Sequence, residues 1–339
     1  MRSKVNDAAT AQVNGSAALD ALLAELHDPE VRRLAWTIGA PSLFDATDPR
    51  WQGRLRDDAW SARELSRMRD SLLALDRAPA PLHAALGAPA TPLPLGHVFE
   101  RFVRFWQAAR PEVRASTGGL VVREEGRTVG EFDVVLLRAD GVIETLEVTV
   151  KFYLNLRPEL GIAGCIGPRS FDRMADKFAK MSTRQTALGD TAAGRAALAR
   201  WCAEAGGATC SADSLIVLNH ALSRGYVFHP DAATPGPIEL SPTHQRGRWQ
   251  TDARELPRGL WRALAGREWL GPWRGPLAES AWMSDPAMPR LVARVIEDDE
   301  AHPECERRFV VRSDAGLLRA FPEPPEHAAW QCFNERADG

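Results

Sequence analysis

Residues 130–154 read GEFDVVLLRADGVIETLEVTVKFYL, and this segment determines the strand pattern of the chain. It contains two apolar runs joined by Asp140-Gly141, a turn signal that predicts a β-hairpin. Each run carries an acid, Asp133 in the first and Glu147 in the second. Strands that are apolar on both faces are normally buried on both, and a buried acid requires a partner or a metal ion. The two acids are therefore the leading candidates for functional residues.

The longer strand of this hairpin carries a polar row. Strand alternation places four polar side chains on one face: Thr145, Glu147, Thr149 and Lys151. The hairpin brings Asp133 close to this face, and converging carboxylates bind hard cations such as Mg²⁺ or Mn²⁺. Such an ion stabilises charge on a phosphate and activates water, while a lysine orients or deprotonates that water. The row thus predicts phosphodiester hydrolysis, with Asp133 and Glu147 as metal ligands and Lys151 as a catalytic residue.

The hairpin belongs to a series of elements that alternate between helix and strand. Apolar residues at helical spacing predict helices, and period-two alternation bounded by turn residues predicts strands. The predicted core elements are, in order, a helix at 96–109, strands at 120–123, 130–138 and 142–154, a helix after residue 170, and strands at 214–218 and 225–229. The first three strands form an antiparallel meander, so the expected fold class is α/β with a mixed sheet.

Composition shifts divide the chain into four predicted segments. Prolines near residues 79–94 separate an N-terminal helical part from the core. The part after residue 230 is rich in tryptophan and proline. The predicted segments are a disordered N-terminus (1–16), a helical N-terminal segment (17–92), the core (93–230) and a C-terminal extension packed on the core (231–339).

Charge and cysteine content narrow the possible functions. The 339 residues carry a net charge of −3, so a nucleic-acid partner requires a local basic patch. The five cysteines include no CxxC pair with zinc-site spacing. No signal-peptide pattern and no apolar run of membrane-spanning length is present. We therefore expect a cytoplasmic protein without membrane association, and nothing in the sequence names a protein partner.

A basic stripe follows the hairpin. Between residues 169 and 200 there are seven arginines and lysines against three aspartates, a pattern that can follow a phosphate backbone of DNA or RNA. The candidate nucleic-acid-binding residues are Arg169, Arg173, Lys177 and Lys180. The alternative is an ordinary solvated helix face, which Asp172 and Asp176 partly neutralise.

The acids and the lysine resemble the motif of the PD-(D/E)XK nuclease superfamily. That superfamily has a restriction-endonuclease-like αβββαβ core and cleaves nucleic acids with Mg²⁺. The resemblance implies that Asp133 is the metal acid of the second strand and Lys151 the motif lysine. It also implies that Glu100, on the preceding helix, is the helix acid that supports the metal through water.

A closer resemblance is to the bacterial family known as domain of unknown function 1853. It extends over most of the chain and implies a fold more than an activity. The matching stretches are Leu95–Glu100, Gly130–Asp133, Leu146–Leu154, Gly167–Arg169, His244–Trp249 and Glu268–Pro272.

Glu147 departs from the nuclease motif. The motif separates its third-strand acid and lysine by two residues, whereas Glu147 and Lys151 are four apart and Thr149 stands where the acid is expected. A β-bulge that brings Glu147 closer, a displaced site, and a catalytically degenerate module that binds nucleic acid or protein all fit this spacing.

Structural roles are the alternative for each acid. Asp133 could cap a turn or pair with Lys151 across the hairpin. Glu100 could pair with Arg104 one helical turn away.

Overall fold

The computed structural model describes residues 17–87, 93–168, 172–206, 211–275, 290–296 and 302–311. The segment 1–16 and the candidate residue Arg169 lie outside these ranges.

Five helices form the N-terminal part of the described chain. They are α1 (residues 17–25), α2 (Pro29–Gly39), α3 (Asp58–Arg77), α4 (Ala80–Leu86) and α5 (Leu95–Ala108). Aspartates set two of the starts: Asp28 accepts hydrogen bonds from the first turn of α2, and Asp57 does the same for α3. Four of these helices, α1 to α4, lie within the predicted segment 17–92.

The remaining helices and the strands follow α5. The strands are β1 (Val113–Thr117), β2 (Leu120–Glu124), β3 (Arg127–Phe132), β4 (Val134–Arg138), β5 (Ile143–Asn155), β6 (Cys165–Ile166), β7 (Val217–His229), β8 (Gln245–Gln250), β9 (Leu260–Ala263), β10 (Arg290–Val295) and β11 (Glu304–Val310). Between β6 and β7 lie α6 (Met174–Lys180), a π-helical turn (Met181–Gln185) and α7 (Ala192–Glu204).

The described strands form one mixed sheet of nine strands and a separate pair. The main order is β1-β4-β5-β7-β8-β11-β10-β9, with β6 beside β5, while β2 and β3 pair only with each other. β4 is antiparallel to both neighbours, whereas β5, β7 and β8 run parallel. Parallel neighbours need a crossover, which α6 and α7 supply between β5 and β7. The α/β class with a mixed sheet is therefore confirmed.

The two faces of β5 differ in character. Leu146, Val148 and Phe152 point toward the N-terminal helices and join the largest apolar cluster. The opposite face carries the polar row and ends at Tyr153, which packs with Phe178 and other residues of a second cluster. A polar row is thus held beneath the α6 layer, between apolar regions of the core.

Two details of the predicted meander differ from the structure. The predicted strand 130–138 breaks at Asp133, so its first half pairs with β2 and its second half enters the main sheet. The strand beside β4 is β1, which the sequence did not reveal because its burial alternates weakly at a sheet edge. The break places an acid at the point where the chain leaves the sheet.

The strands from β7 onward also differ from expectation. The two strands predicted at 214–218 and 225–229 are parts of one strand, β7, because residues 219–224 continue its pairing with β5. The described strands after residue 230 extend the same sheet rather than forming a layer on it. The segment boundaries remain predictions. Among the described helices, none combines the length and the apolar character required to cross a bilayer.

Candidate functional site

Asp133 lies at the break between β3 and β4, opposite Glu147 on β5. β4 pairs with β5 from Val134, which faces Leu146, so one more step of this register brings the two acids together. The chain turns away at this point, and an Asp133 carboxylate oxygen accepts the backbone N–H of Val148 at 2.9 Å. The side chain thus replaces a ladder partner that β4 no longer supplies.

Asp133 and Glu147 form a carboxyl pair. Their side chains share a hydrogen bond, and Glu147 is only 6% exposed. Burial, followed by the neighbouring charge of Asp133, raises the pKa of Glu147 from 4.5 to about 8. Burial also raises the pKa of Asp133. At neutral pH the pair therefore holds a proton, which a cation would displace.

Lys177 of α6 is the cation beside this pair. Its ammonium nitrogen lies 3.4 Å from a carboxyl oxygen of Glu147 and 3.2 Å from the amide oxygen of Gln185. The π-helical turn directly after α6 carries Gln185 back toward Lys177; such turns occur often at functional sites. The charge of Lys177 acts to lower the pKa of both carboxyl groups, although burial outweighs it.

Lys151 has a different partner. Its ammonium nitrogen lies 2.6 Å from a carboxylate oxygen of Asp172, and the other oxygen of Asp172 accepts the Tyr153 hydroxyl at 3.2 Å. Thr149, 6% exposed, lies between Lys151 and Glu147 on the strand. The structure therefore brings Asp133 and Glu147 together and joins Lys151 to Asp172.

Two further acids lie close to the pair. Burial, and next the charge of Asp133, raise the pKa of half-buried Glu100 on α5. The charge of Arg104 acts on Glu100 less strongly than that of Asp133. The charge of exposed Glu131 acts on both Asp133 and Glu100. The sequence analysis did not single out Glu131, although strand alternation places it on the same face as Asp133 in the predicted strand 130–138.

A groove of about 830 Å³ opens beside the pair. Asp133 and Glu131 lie on one side, and the exposed cations Lys180 and Arg184 lie on the other. Of the predicted basic residues, Lys180 lines this groove, Lys177 contacts Glu147, and half-buried Arg173 precedes the first residue of α6. The basic stripe thus divides between the carboxyl pair and the groove.

The residues present fit a hard divalent cation that takes only one or two of its ligands from the protein. Within the described ranges, no three His, Cys, Asp or Glu side chains converge as a metal-binding group. Zn²⁺ sites normally use three or four protein ligands, whereas Mg²⁺ is often bound by one or two carboxylates with water and substrate phosphate. The Asp133–Glu147 pair matches the second pattern.

Comparison with known proteins identifies the family. Neither a curated protein nor a solved structure matches the chain. One family model, described as "Domain of unknown function (DUF1853)", matches residues 32–319, which include α5, the carboxyl pair, the groove and the whole described sheet. The chain therefore belongs to the DUF1853 family.

Proposed function

We propose that this protein is a divalent-metal-dependent phosphodiesterase acting on DNA or RNA, with the Asp133–Glu147 pair as its metal-binding centre. The observation that carries the proposal is the buried carboxyl pair, since burial of two acids in contact is costly unless a cation or a proton separates their charges. The expected ion is Mg²⁺ or Mn²⁺.

The order of elements supports a restriction-endonuclease-like core. Apart from the two-residue strand β6, which follows β5 and pairs with it, the helices and main-sheet strands from α5 to β7 are, in order, α5, β1, β4, β5, α6 with α7, and β7. This is helix, three strands, helix, strand, the αβββαβ order of the PD-(D/E)XK superfamily. We infer that the DUF1853 family is a branch of that superfamily.

In this proposal each residue has a distinct task. Asp133 and Glu147 hold the ion, which would supply charge stabilisation and an activated water. Lys177 takes the place expected of Lys151, because its ammonium group already lies beside Glu147. Lys180 and Arg184 bind phosphates in the groove. Glu100 supports the centre through water.

The test is cleavage of labelled DNA and RNA with Mg²⁺ or Mn²⁺. We expect Asp133→Asn and Glu147→Gln each to abolish cleavage; Asn retains an oxygen acceptor for the Val148 N–H and so preserves the strand break. Lys177→Met should reduce cleavage roughly 100-fold or more, whereas Lys151→Met should reduce it less. Wild-type activity that is unchanged by EDTA, or by both carboxyl substitutions in folded protein, would contradict the proposal.

A binding module without catalysis is the second candidate. It is favoured by the hydrogen bond that Asp133 accepts from the backbone of Val148, which gives this acid a structural role. It is also favoured by Thr149 at the motif acid position and by the pairing of Lys151 with Asp172. In that case the same variants would leave nucleic-acid affinity unchanged, and no metal would promote cleavage.

A further inference from the structure

An arginine-rich groove lies at the far end of the main sheet. Its volume is about 580 Å³. Five arginines line it, Arg246, Arg248, Arg294, Arg307 and Arg308, against the acids Asp231 and Glu306. The groove is therefore a local basic patch on a protein whose net charge is −3.

The arginines differ in how many of their hydrogen bonds and charges are paired with other residues of the fold. Arg307 is buried, paired with Glu304 and bonded to backbone carbonyls, so it serves the core. Arg308 pairs with Glu306. Arg246 and Arg248 are exposed, and neither forms a salt bridge with any described residue. Arg246 donates hydrogen bonds to the backbone oxygen of Thr234 at 2.5 Å and to Nε2 of His244 at 3.4 Å, so part of its guanidinium group is already engaged. What both arginines offer a ligand is a positive charge that no described carboxylate pairs with.

Strand pairing brings like charges together here. Arg248 of β8 stands directly opposite Arg308 of β11. Like charges in cross-strand pairs destabilise a sheet, and Glu306, which pairs with Arg308, is shared with Arg294 at 3.4 Å. A bound anion would relieve the remaining repulsion, and the planar fork of arginine suits a phosphate.

The groove lies on the same sheet face as the carboxyl pair. Glu147 pairs with Ala221 of β7, and Arg248 pairs with His229, eight residues further along the same strand and on the same face. Eight residues span roughly 26 Å, and the two strand spacings from β5 to β8 add roughly 10 Å sideways. The separation is roughly 28 Å, the length of about eight base pairs of duplex.

We propose that this groove binds the phosphate backbone of the nucleic acid whose cleavage site lies at Asp133 and Glu147. The identity of the occupant rests on the proposed function; the anion-binding character rests on the groove itself. Arg246 and Arg248 are the phosphate-binding residues, and residues 40–55 with α6 form the layer between the two sites.

The test measures binding of a labelled duplex of about 20 base pairs in EDTA, where no cleavage can occur. The variant is Arg246→Gln with Arg248→Gln, and the matched control is Arg254→Gln, whose side chain is 90% exposed and paired with Asp252. We expect the double variant to bind roughly 50-fold more weakly near 0.1 M salt, with a salt dependence shallower by about 1.8. The control should bind like the wild type.

Three outcomes would overturn the inference: no duplex binding by the wild type, an unchanged salt dependence in the double variant, or equal competition by polyglutamate, which would indicate an acidic protein partner. The proposed phosphodiesterase activity and the proposed phosphate-binding groove can be contradicted independently. Duplex binding that depends on Arg246 and Arg248 without any metal-dependent cleavage supports the groove and contradicts the phosphodiesterase.

Discussion

The proton held between Asp133 and Glu147 links the candidate site to the stability of the fold. The pKa of Glu147 is about 8 in the folded protein, against 4.5 for an ordinary glutamate. Between these values the folded chain binds one proton that the unfolded chain does not, so stability must fall as pH rises. The protonated pair is stable without metal, and its deprotonated form becomes costly unless a cation binds.

We therefore predict that the metal-free protein loses stability from about pH 4.5 to about pH 8. The contribution of Glu147 to this slope is up to about 1.4 kcal/mol per pH unit. Urea denaturation at several pH values measures it. Glu147→Gln, which is neutral at every pH, should remove this contribution, whereas Glu255→Gln at an exposed position should leave it. Equal slopes in wild type and Glu147→Gln would contradict the assigned protonation.

At this site some residues could be predicted from the sequence and others could not. Asp133 and Glu147 could be predicted because acids in apolar strands are rare and informative. Lys177 could be identified only as a basic helix residue, since its approach to Glu147 depends on where α6 crosses the sheet. Lys151 shares a strand face with Glu147, but its contact with Asp172 depends on a loop that no periodicity describes.

Among the elements, β5 and β7 position the carboxyl pair. Twelve consecutive residue pairs join these parallel strands. Close to the site the two backbones approach so nearly that a Cβ on Gly225 would lie 1.7 Å from the carbonyl oxygen of Lys151. Gly225 also has a φ of 141°, in a region that side chains disfavour. This contact fixes the spacing between β7 and β5, the strand that carries both Glu147 and Lys151.

Gly225→Ala should therefore destabilise the protein by roughly 2 to 4 kcal/mol, because the strands must separate. Gly126→Ala is the matched control, since Gly126 also has a positive φ of 79° but no atom within 4 Å of an added Cβ. Its cost should be about 1 kcal/mol. Denaturation midpoints measure both values, and equal costs would show that the backbone conformation alone is responsible.

The elements themselves were only partly predictable. Helix α5 follows from apolar periodicity alone, whereas α2 and α3 also have a capping aspartate, Asp28 and Asp57. The break between β3 and β4 could not be predicted from the sequence, because the apolar alternation runs through Asp133 without a glycine or proline to mark a boundary. β7 was divided in two because Asn219 to Arg224 include polar residues, whose partners in other elements are known only from the fold.

Across the whole molecule, one sheet connects the carboxyl pair to the arginine-rich groove. A ligand that contacts both must span roughly 28 Å, or about eight base pairs. We predict that affinity rises with duplex length up to about this value and that the rise disappears in the double variant Arg246→Gln with Arg248→Gln. Binding to duplexes of increasing length in EDTA measures it. A length dependence that persists in the double variant would place the second contact elsewhere.

The central claim is that Asp133 and Glu147 together bind a divalent cation, and titration of Mn²⁺ into the purified protein by calorimetry tests it most directly. We predict one ion per chain and release of up to about one proton. The affinity should increase about tenfold for each unit by which the pH rises, up to about pH 8. Asp133→Asn and Glu147→Gln should each abolish binding, while Asp140→Asn at the exposed hairpin turn should not. Absence of binding by the wild type, both alone and with an uncleaved duplex present to supply phosphate ligands, would contradict the account.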